Sequence, residues 1–164
     1  MIDESPKAGR LGAAILAIAS VGLTLAVGQI ATISKLVPWY ESLTKPSFSP
    51  PNWVFAPVWS TLYLLMTVAI WRVLCLPRGT QGRRSAVILF FAQLCLNAAW
   101  SWMFFGGESP SLGMINIVPQ AVLVFLATAV FLRLDRLAGF CLLPLLVWIT
   151  FAGVLNYEVW RLNN

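Results

Sequence analysis

The sequence predicts an all-α integral membrane protein, a bundle of five transmembrane helices with a structured lid loop between helices 1 and 2. Hydrophobic residues make up 59% of the 164 residues and charged residues only 10%, whereas soluble domains are about 45–50% apolar and about 25% charged. Five stretches are almost free of charge and reach the roughly 20 residues that a helix needs to cross a bilayer. An open sheet cannot cross lipid, because its edges would lack hydrogen bonds, and the alternation typical of a barrel is absent.

The five predicted helices are separated by short connections. They cover residues 11–33, 53–76, 85–105, 112–132 and 137–157. The first is longer than the roughly 7–15 apolar residues of a cleaved signal peptide, so we expect it to remain in the protein. Residues 1–164 are therefore predicted to form a single transmembrane domain.

The first helix is rich in small residues, among them Gly12, Ala17, Gly22 and Gly28. Small side chains at four-residue spacing allow two helices to approach closely. This pattern fits contacts within the bundle and contacts between subunits equally well.

The connection over residues 35–52 is the longest between spans. It contains four prolines, Pro38, Pro46, Pro50 and Pro51. Because proline fixes φ, the loop is expected to be ordered, and long ordered loops often cover binding sites. We interpret it as a lid over one end of a cavity; the alternative is a linker that rests on the membrane surface.

Aromatic side chains divide into two sets. One set lies near span ends, where amphipathic rings form an interfacial belt: Trp39, Tyr40, Trp53, Tyr157 and Trp160. The other lies deeper: Trp59 and Tyr63 share one helix face, Trp100 follows on the third span, and Trp148 precedes the small Ala152 by four residues. These deep residues either line a cavity for a flat apolar ligand with polar edges or simply pack together, and their spacing allows both.

The third span carries two amides on one face, Gln93 and Asn97. In lipid, a side-chain amide needs a hydrogen-bonding partner. Asn97 would either bond a neighbouring helix, worth about 0.6–2 kcal/mol, or contact a bound ligand.

The lysines and arginines between the spans and near their ends predict the orientation. Eight lie on the side of the N-terminus, namely Lys7, Arg10, Arg72, Arg78, Arg83, Arg84, Arg133 and Arg136. Only Lys35, Lys45 and Arg161 lie on the other side. In an inner membrane this bias places the N-terminus in the cytoplasm. The basic residues are divided among short loops, so nucleic-acid binding is not expected.

The composition also argues against proton-coupled transport, metal binding and nucleophilic catalysis. The chain has no histidine and only 6 acidic residues, and no span contains the carboxylate or histidine that proton-coupled transporters use. The cysteines are widely spaced and form no metal-ligand motif. No nucleophile–base pair, metal site or required cofactor is predicted, and a bound haem would lack its commonest axial ligand.

A series of motifs carries a family resemblance. In order they are Pro38-Trp39-Tyr40, Pro50-Pro51-x-Trp53-Val54-Phe55-x-Pro57-Val58-Trp59-x-x-Leu62-Tyr63, Ala92-Gln93-Leu94-x-Leu96-Asn97-x-x-Trp100, Leu143-Pro144-x-x-x-Trp148 and Leu155-Asn156-x-x-x-x-Arg161-x-Asn163. From Pro38 to Asn163 the chain resembles the TspO/MBR family, which includes tryptophan-rich sensory proteins and translocator proteins, once called peripheral benzodiazepine receptors.

The resemblance implies a membrane receptor or regulator, commonly a homodimer, with a lidded cavity that binds porphyrins such as protoporphyrin IX and haem, and also cholesterol-like lipids. It implies a role in tetrapyrrole transport or stress regulation, in a bacterial membrane. The alternatives are a carrier for tetrapyrrole or sterol and an enzyme that degrades protoporphyrin in light. By position, the resemblance assigns Trp59 and Trp148 to action on porphyrin, should degradation occur. It assigns Tyr63, Asn97 and Ala152 to the pocket wall, and Trp39 and Trp53 to the lid and the pocket mouth.

The chain departs from the family pattern at one pocket position. Many members have a tyrosine after the Leu-Pro pair that precedes the last tryptophan, and here that residue is Leu145. One hydroxyl of the pocket is therefore expected to be missing. The sterol-recognition pattern at Leu155–Arg161 is too weak a motif to predict sterol binding.

Overall fold

The structure, a computed structural model, describes residues 5–37 and 39–164, with only the backbone of residues 5–8. Residues 1–4 of the predicted domain and Pro38 of the predicted lid lie outside the described residues. Five helices are long and apolar enough to cross a membrane: α1 Ser5–Lys35, α2 Asn52–Leu74, α3 Arg83–Ser101, α4 Pro110–Leu134 and α5 Arg136–Leu162. The predicted all-α bundle of five membrane-crossing helices is confirmed.

Most helices extend beyond the apolar stretches that predicted them. α1 begins at Ser5 rather than residue 11, and α5 ends at Leu162 rather than residue 157. Apolar composition marks the hydrocarbon layer, whereas a helix continues into the headgroup region, where charged side chains reach water. α2 instead ends at Leu74, two residues early, and the Arg83 side chain donates hydrogen bonds to the carbonyl oxygens of Val73 and Leu74 at 3.2 and 3.0 Å.

The helices pack side by side in a ring whose order is α1, α2, α5, α4, α3 and back to α1. One continuous core fills the half of the bundle near the α4–α5 turn. Its largest fully buried side chains include Met66, Ile70, Phe90, Phe131 and Leu142. A smaller aromatic core at the other end contains Tyr40, Phe104, Phe105, Leu155 and Val159. Since lipid is as apolar as these side chains, close packing rather than exclusion from water holds the helices together.

A π-helical segment, Trp102–Gly106, widens the end of α3. Its wide turn closes with a 2.7 Å hydrogen bond from the Gly107 N–H to the Trp102 carbonyl. π-Helical turns often occur at functional sites because they redirect side chains. Here the segment buries Phe104 and Phe105 beneath the connection between α1 and α2.

An ion pair joins α2 to the α4–α5 turn. Arg72 donates to Asp135 Oδ2 at 2.8 and 2.9 Å, and Asp135 Oδ1 accepts from the Ala138 N–H at the start of α5. Partial burial raises the pKa of Asp135, but the hydrogen bonds from Arg72 and Ala138 and the charge of Arg72 outweigh it, so the pKa lies below its usual value. The stabilisation is present above the pKa of the unfolded chain and is lost as the pH falls through the lowered pKa.

Candidate functional site

A cavity of about 230 Å³ lies between the helices, toward the end of the bundle where the first connection lies. All five helices and residues Leu36 and Tyr40 of that connection contribute to its wall. Six of the eight residues predicted to bind a ligand line it: Trp59, Tyr63, Asn97, Trp100, Trp148 and Ala152. The deep aromatic residues identified from the sequence therefore line a cavity.

The α2 and α3 walls are joined by a hydrogen bond. Tyr63 Oη donates to Asn97 Oδ1 at 2.7 Å, and the rings of Trp59 and Tyr63 lie 5.5 Å apart with a 32° tilt. Asn97 thus forms the interhelical bond that was one interpretation of its position. Its Nδ2 has no hydrogen bond to any residue that the structure describes, so the amide still has donors for a second partner.

The α5 wall carries the large Trp148 and, one turn later, the small Ala152. Trp148 contacts Phe55 of α2 edge to face, with ring centroids 5.8 Å apart, and lies 5.5 Å from Phe151. These rings fix the indole against the cavity, while the methyl group of Ala152 leaves the adjacent space open.

Three helices meet at Asn156, which sequence reasoning quoted in a motif but did not assign to the site. Trp100 Nε1 donates to Asn156 Oδ1 at 3.1 Å, and Asn156 Nδ2 donates to the Pro110 carbonyl at 2.8 Å. Trp100 also stacks on Phe104 at 4.8 Å. The bonds fix the wall where α3, α4 and α5 converge, because each polar group is satisfied away from water.

The first connection contributes Tyr40 to the cavity wall, and Tyr40 is buried against Phe104 and Phe105. Beyond it, the Thr44 N–H donates to Asn163 Oδ1, and Asn163 Nδ2 donates back to the Thr44 carbonyl, both at 2.9 Å. The Asn163 side-chain amide thus forms two hydrogen bonds with the backbone of Thr44, as a residue on a neighbouring β-strand does. The C-terminal end of α5 therefore fastens the connection.

Two residues expected at the lid and mouth do not line the cavity. Trp39 packs edge-on against Phe104, with centroids 5.3 Å apart, and Trp53 is 73% exposed on the outer face of α2. Leu145, at the position of the family tyrosine, is 1% exposed in the helix core rather than at the cavity wall. Leu145 itself therefore contributes no surface to this cavity.

Sequence reasoning missed Gln120 of α4, which lines the cavity with 1% of its surface exposed. The available signal was a second pair of amides one turn apart in a mostly apolar span, Asn116 and Gln120. Gln93, one turn before Asn97, is equally buried but is not among the lining residues.

The wall is aromatic and polar but uncharged: among the described residues that line it, none is acidic or basic. Indole and amide N–H groups together with broad ring faces suit a flat ligand that stacks and accepts hydrogen bonds. The arrangement offers positioning groups rather than a base and a nucleophile.

Comparison with known proteins agrees with the fold. The model of the TspO/MBR family matches residues 13–161. The chain is 38% identical to tryptophan-rich protein TspO of Chlorobaculum tepidum, over 87% of this chain and 92% of that protein. It is 36% identical to tryptophan-rich protein TspO of Archaeoglobus fulgidus, over 94% and 97%, and 33% identical to the human translocator protein, over 90% and 91%.

Proposed function

Because this chain belongs to the TspO/MBR family and crosses the membrane with five helices, we propose that it is a receptor that binds porphyrins, such as protoporphyrin IX, in the cavity between them. The uncharged wall of Trp59, Tyr63, Asn97, Trp100 and Trp148 is the observation that carries this proposal. A porphyrin presents a large aromatic face to the indoles and carboxylate oxygens to N–H donors.

The cavity must open for such a ligand. Its volume of about 230 Å³ falls below the roughly 300–1,000 Å³ of typical small-molecule sites. The first connection is the element that can move, because the Thr44–Asn163 bonds and the contacts of Tyr40 hold it without a covalent link. In this proposal the connection acts as a lid, and the structure represents its closed state.

A titration tests the binding site. We expect protoporphyrin IX to quench the tryptophan fluorescence of the purified protein saturably. Trp148→Phe and Asn97→Ala should each weaken binding about three- to tenfold, because one removes an indole face and N–H and the other removes the free amide donors.

Trp71→Phe is the matched control, since Trp71 lies on α2, is 36% exposed and is not among the residues lining the cavity. If both cavity variants titrate like the native protein, the ligand does not use this cavity. If the native protein does not bind protoporphyrin, the proposed function is wrong.

A kinetic experiment tests the lid. Asn163→Ala removes both hydrogen bonds to Thr44, each worth about 0.5–1.5 kcal/mol. We therefore expect stopped-flow quenching to show association and dissociation of protoporphyrin about three- to tenfold faster, with a smaller change in Kd. Asn164→Ala, one residue later and exposed, should leave both rates unchanged; equal rates in the two variants would contradict the lid.

We also propose that the N-terminus faces the cytoplasm. The Lys35–Glu108 ion pair, 2.7 Å long, and the Thr44–Asn163 bonds place the first connection, the third connection and the C-terminus at one end of the bundle. Most basic residues lie at the opposite end, which the positive-inside rule assigns to the cytoplasm. Homodimer formation, sterol binding and a bacterial membrane stay predictions.

A further inference from the structure

Gln120 occupies the α4 wall of the cavity, in the helix that contributes few lining residues. It follows Pro119, and its side chain is almost wholly enclosed, with 1% of its surface exposed. The other amides of the wall belong to the remaining helices: Gln29 of α1, Asn52 of α2, Asn97 of α3 and Asn156 of α5. Of these, Asn97 and Asn156 bond neighbouring helices. Gln120 therefore adds an amide to the α4 part of the wall, whose other lining residue is the apolar Ile117.

The Gln120 amide is not satisfied by the protein. Four buried side-chain polar atoms of the described chain have no hydrogen-bond partner: Ser49 Oγ, Gln93 Oε1, Asn116 Oδ1 and Gln120 Nε2. Of these, Gln120 alone belongs to a residue that lines the cavity. Leaving a donor unpaired in a membrane protein is costly, because lipid offers no replacement for water.

We propose that Gln120 is a specificity-determining residue, whose side-chain N–H groups pair with an oxygen of the ligand and so favour flat ligands that carry carboxylate or carbonyl groups. This inference rests on the proposed binding function and adds to it the chemistry that the cavity selects. The last torsion of a glutamine side chain is broad, so the amide can turn toward a ligand without any movement of the helix.

The cavity wall is uncharged, so a ligand carboxylate would have to bond to uncharged donors. Among the described residues of the cavity wall there is no lysine or arginine to hold a carboxylate. The donors of the wall are amides, indoles and hydroxyl groups, and Gln120 is the donor on α4. A ligand oxygen directed at α4 would meet Gln120, whereas one directed at α3 would meet Asn97.

The test compares two porphyrins that differ in their oxygens. Protoporphyrin IX carries two carboxylates, whereas etioporphyrin carries only alkyl groups. We expect Gln120→Leu to lower the affinity for protoporphyrin about tenfold, which corresponds to about 1.4 kcal/mol, and to leave the affinity for etioporphyrin unchanged. The melting temperature without ligand should stay the same or rise, because the substitution removes an unpaired donor. Gln120→Met repeats the test with an unbranched side chain in case leucine does not fit.

Gln93→Leu is the matched control, since it removes an equally buried amide that also has an unpaired atom but lies outside the cavity wall. It should bind protoporphyrin like the native protein. Unchanged protoporphyrin binding in both Gln120 variants overturns the proposal while leaving porphyrin binding intact. Equal losses for the two porphyrins, with a lower melting temperature, show a structural role and also overturn it. If the native protein binds neither porphyrin, the proposed function fails and this inference fails with it.

Discussion

Ala152→Phe is expected to reduce protoporphyrin binding by more than tenfold while the protein stays folded. Ala152 lies one turn after Trp148 on the α5 wall, and its methyl group leaves part of the 230 Å³ cavity open. A phenyl ring at this position would occupy the space that the ligand needs beside the indole. The loss is large because a filled site removes the stacking and the hydrogen bonds together.

The experiment is the same fluorescence titration, combined with a measurement of the melting temperature. Val154→Phe adds the same ring two residues later, on a side chain that is 53% exposed on the outer face of α5, so it should bind like the native protein. If Ala152→Phe binds protoporphyrin normally, the ligand lies elsewhere. If it melts far below Val154→Phe, the cavity wall is too rigid for the added ring, and Ala152→Leu provides the smaller blocking side chain.

Gly139→Ala is expected to destabilise the α4–α5 pair strongly. A Cβ at Gly139 would lie 2.6 Å from the backbone nitrogen of Leu132 on α4 and 2.5 Å from its Cγ. A side chain can rotate away, but a backbone nitrogen cannot, so the two helices would have to separate. Forced overpacking of this kind costs about 1–3 kcal/mol, occasionally more.

Unfolding in detergent micelles, followed by circular dichroism, measures this effect. Gly22→Ala on α1 is the control, because a Cβ there would meet nothing within 4 Å. It should be neutral or more stable by up to about 0.5–1 kcal/mol, since alanine is the better helix former. Because α5 carries Trp148 and Ala152, Gly139→Ala should also weaken protoporphyrin binding. Equal stability of the two glycine variants would show that α4 and α5 adapt without cost.

The sequence predicted several features of the site through local spacing. Trp59 and Tyr63 share a face because they lie one helical turn apart, and Asn97 and Trp100 follow the same rule on α3. The structure adds that these faces meet, in the Tyr63–Asn97 bond and in the shared cavity wall. Such residues are predictable because residues three or four positions apart on a helix lie on the same face.

Other features depend on residues that are distant in the chain. Asn163 and Thr44 are separated by 119 positions, yet two hydrogen bonds between them join the first connection to the end of α5. Arg72 was counted only as a marker of orientation, although it pairs with Asp135 at the start of the neighbouring helix α5. Trp53 fits the family position at the pocket mouth but lies on the outer surface. No local pattern reports on any of these contacts.

The sequence by itself determined the five spans, because the length of an apolar run and the charges at its ends are properties of each segment and its solvent. Only the tertiary structure decided the ring order of the helices and which face of each one turns inward, as Gln120, Asn156 and Trp53 show. In a soluble protein, the inward face of a helix can be recognised from the sequence, because that face is apolar and the face toward water is polar. A membrane helix has apolar surroundings on every side, so its inward face depends on close packing and on the few hydrogen bonds that distant residues complete.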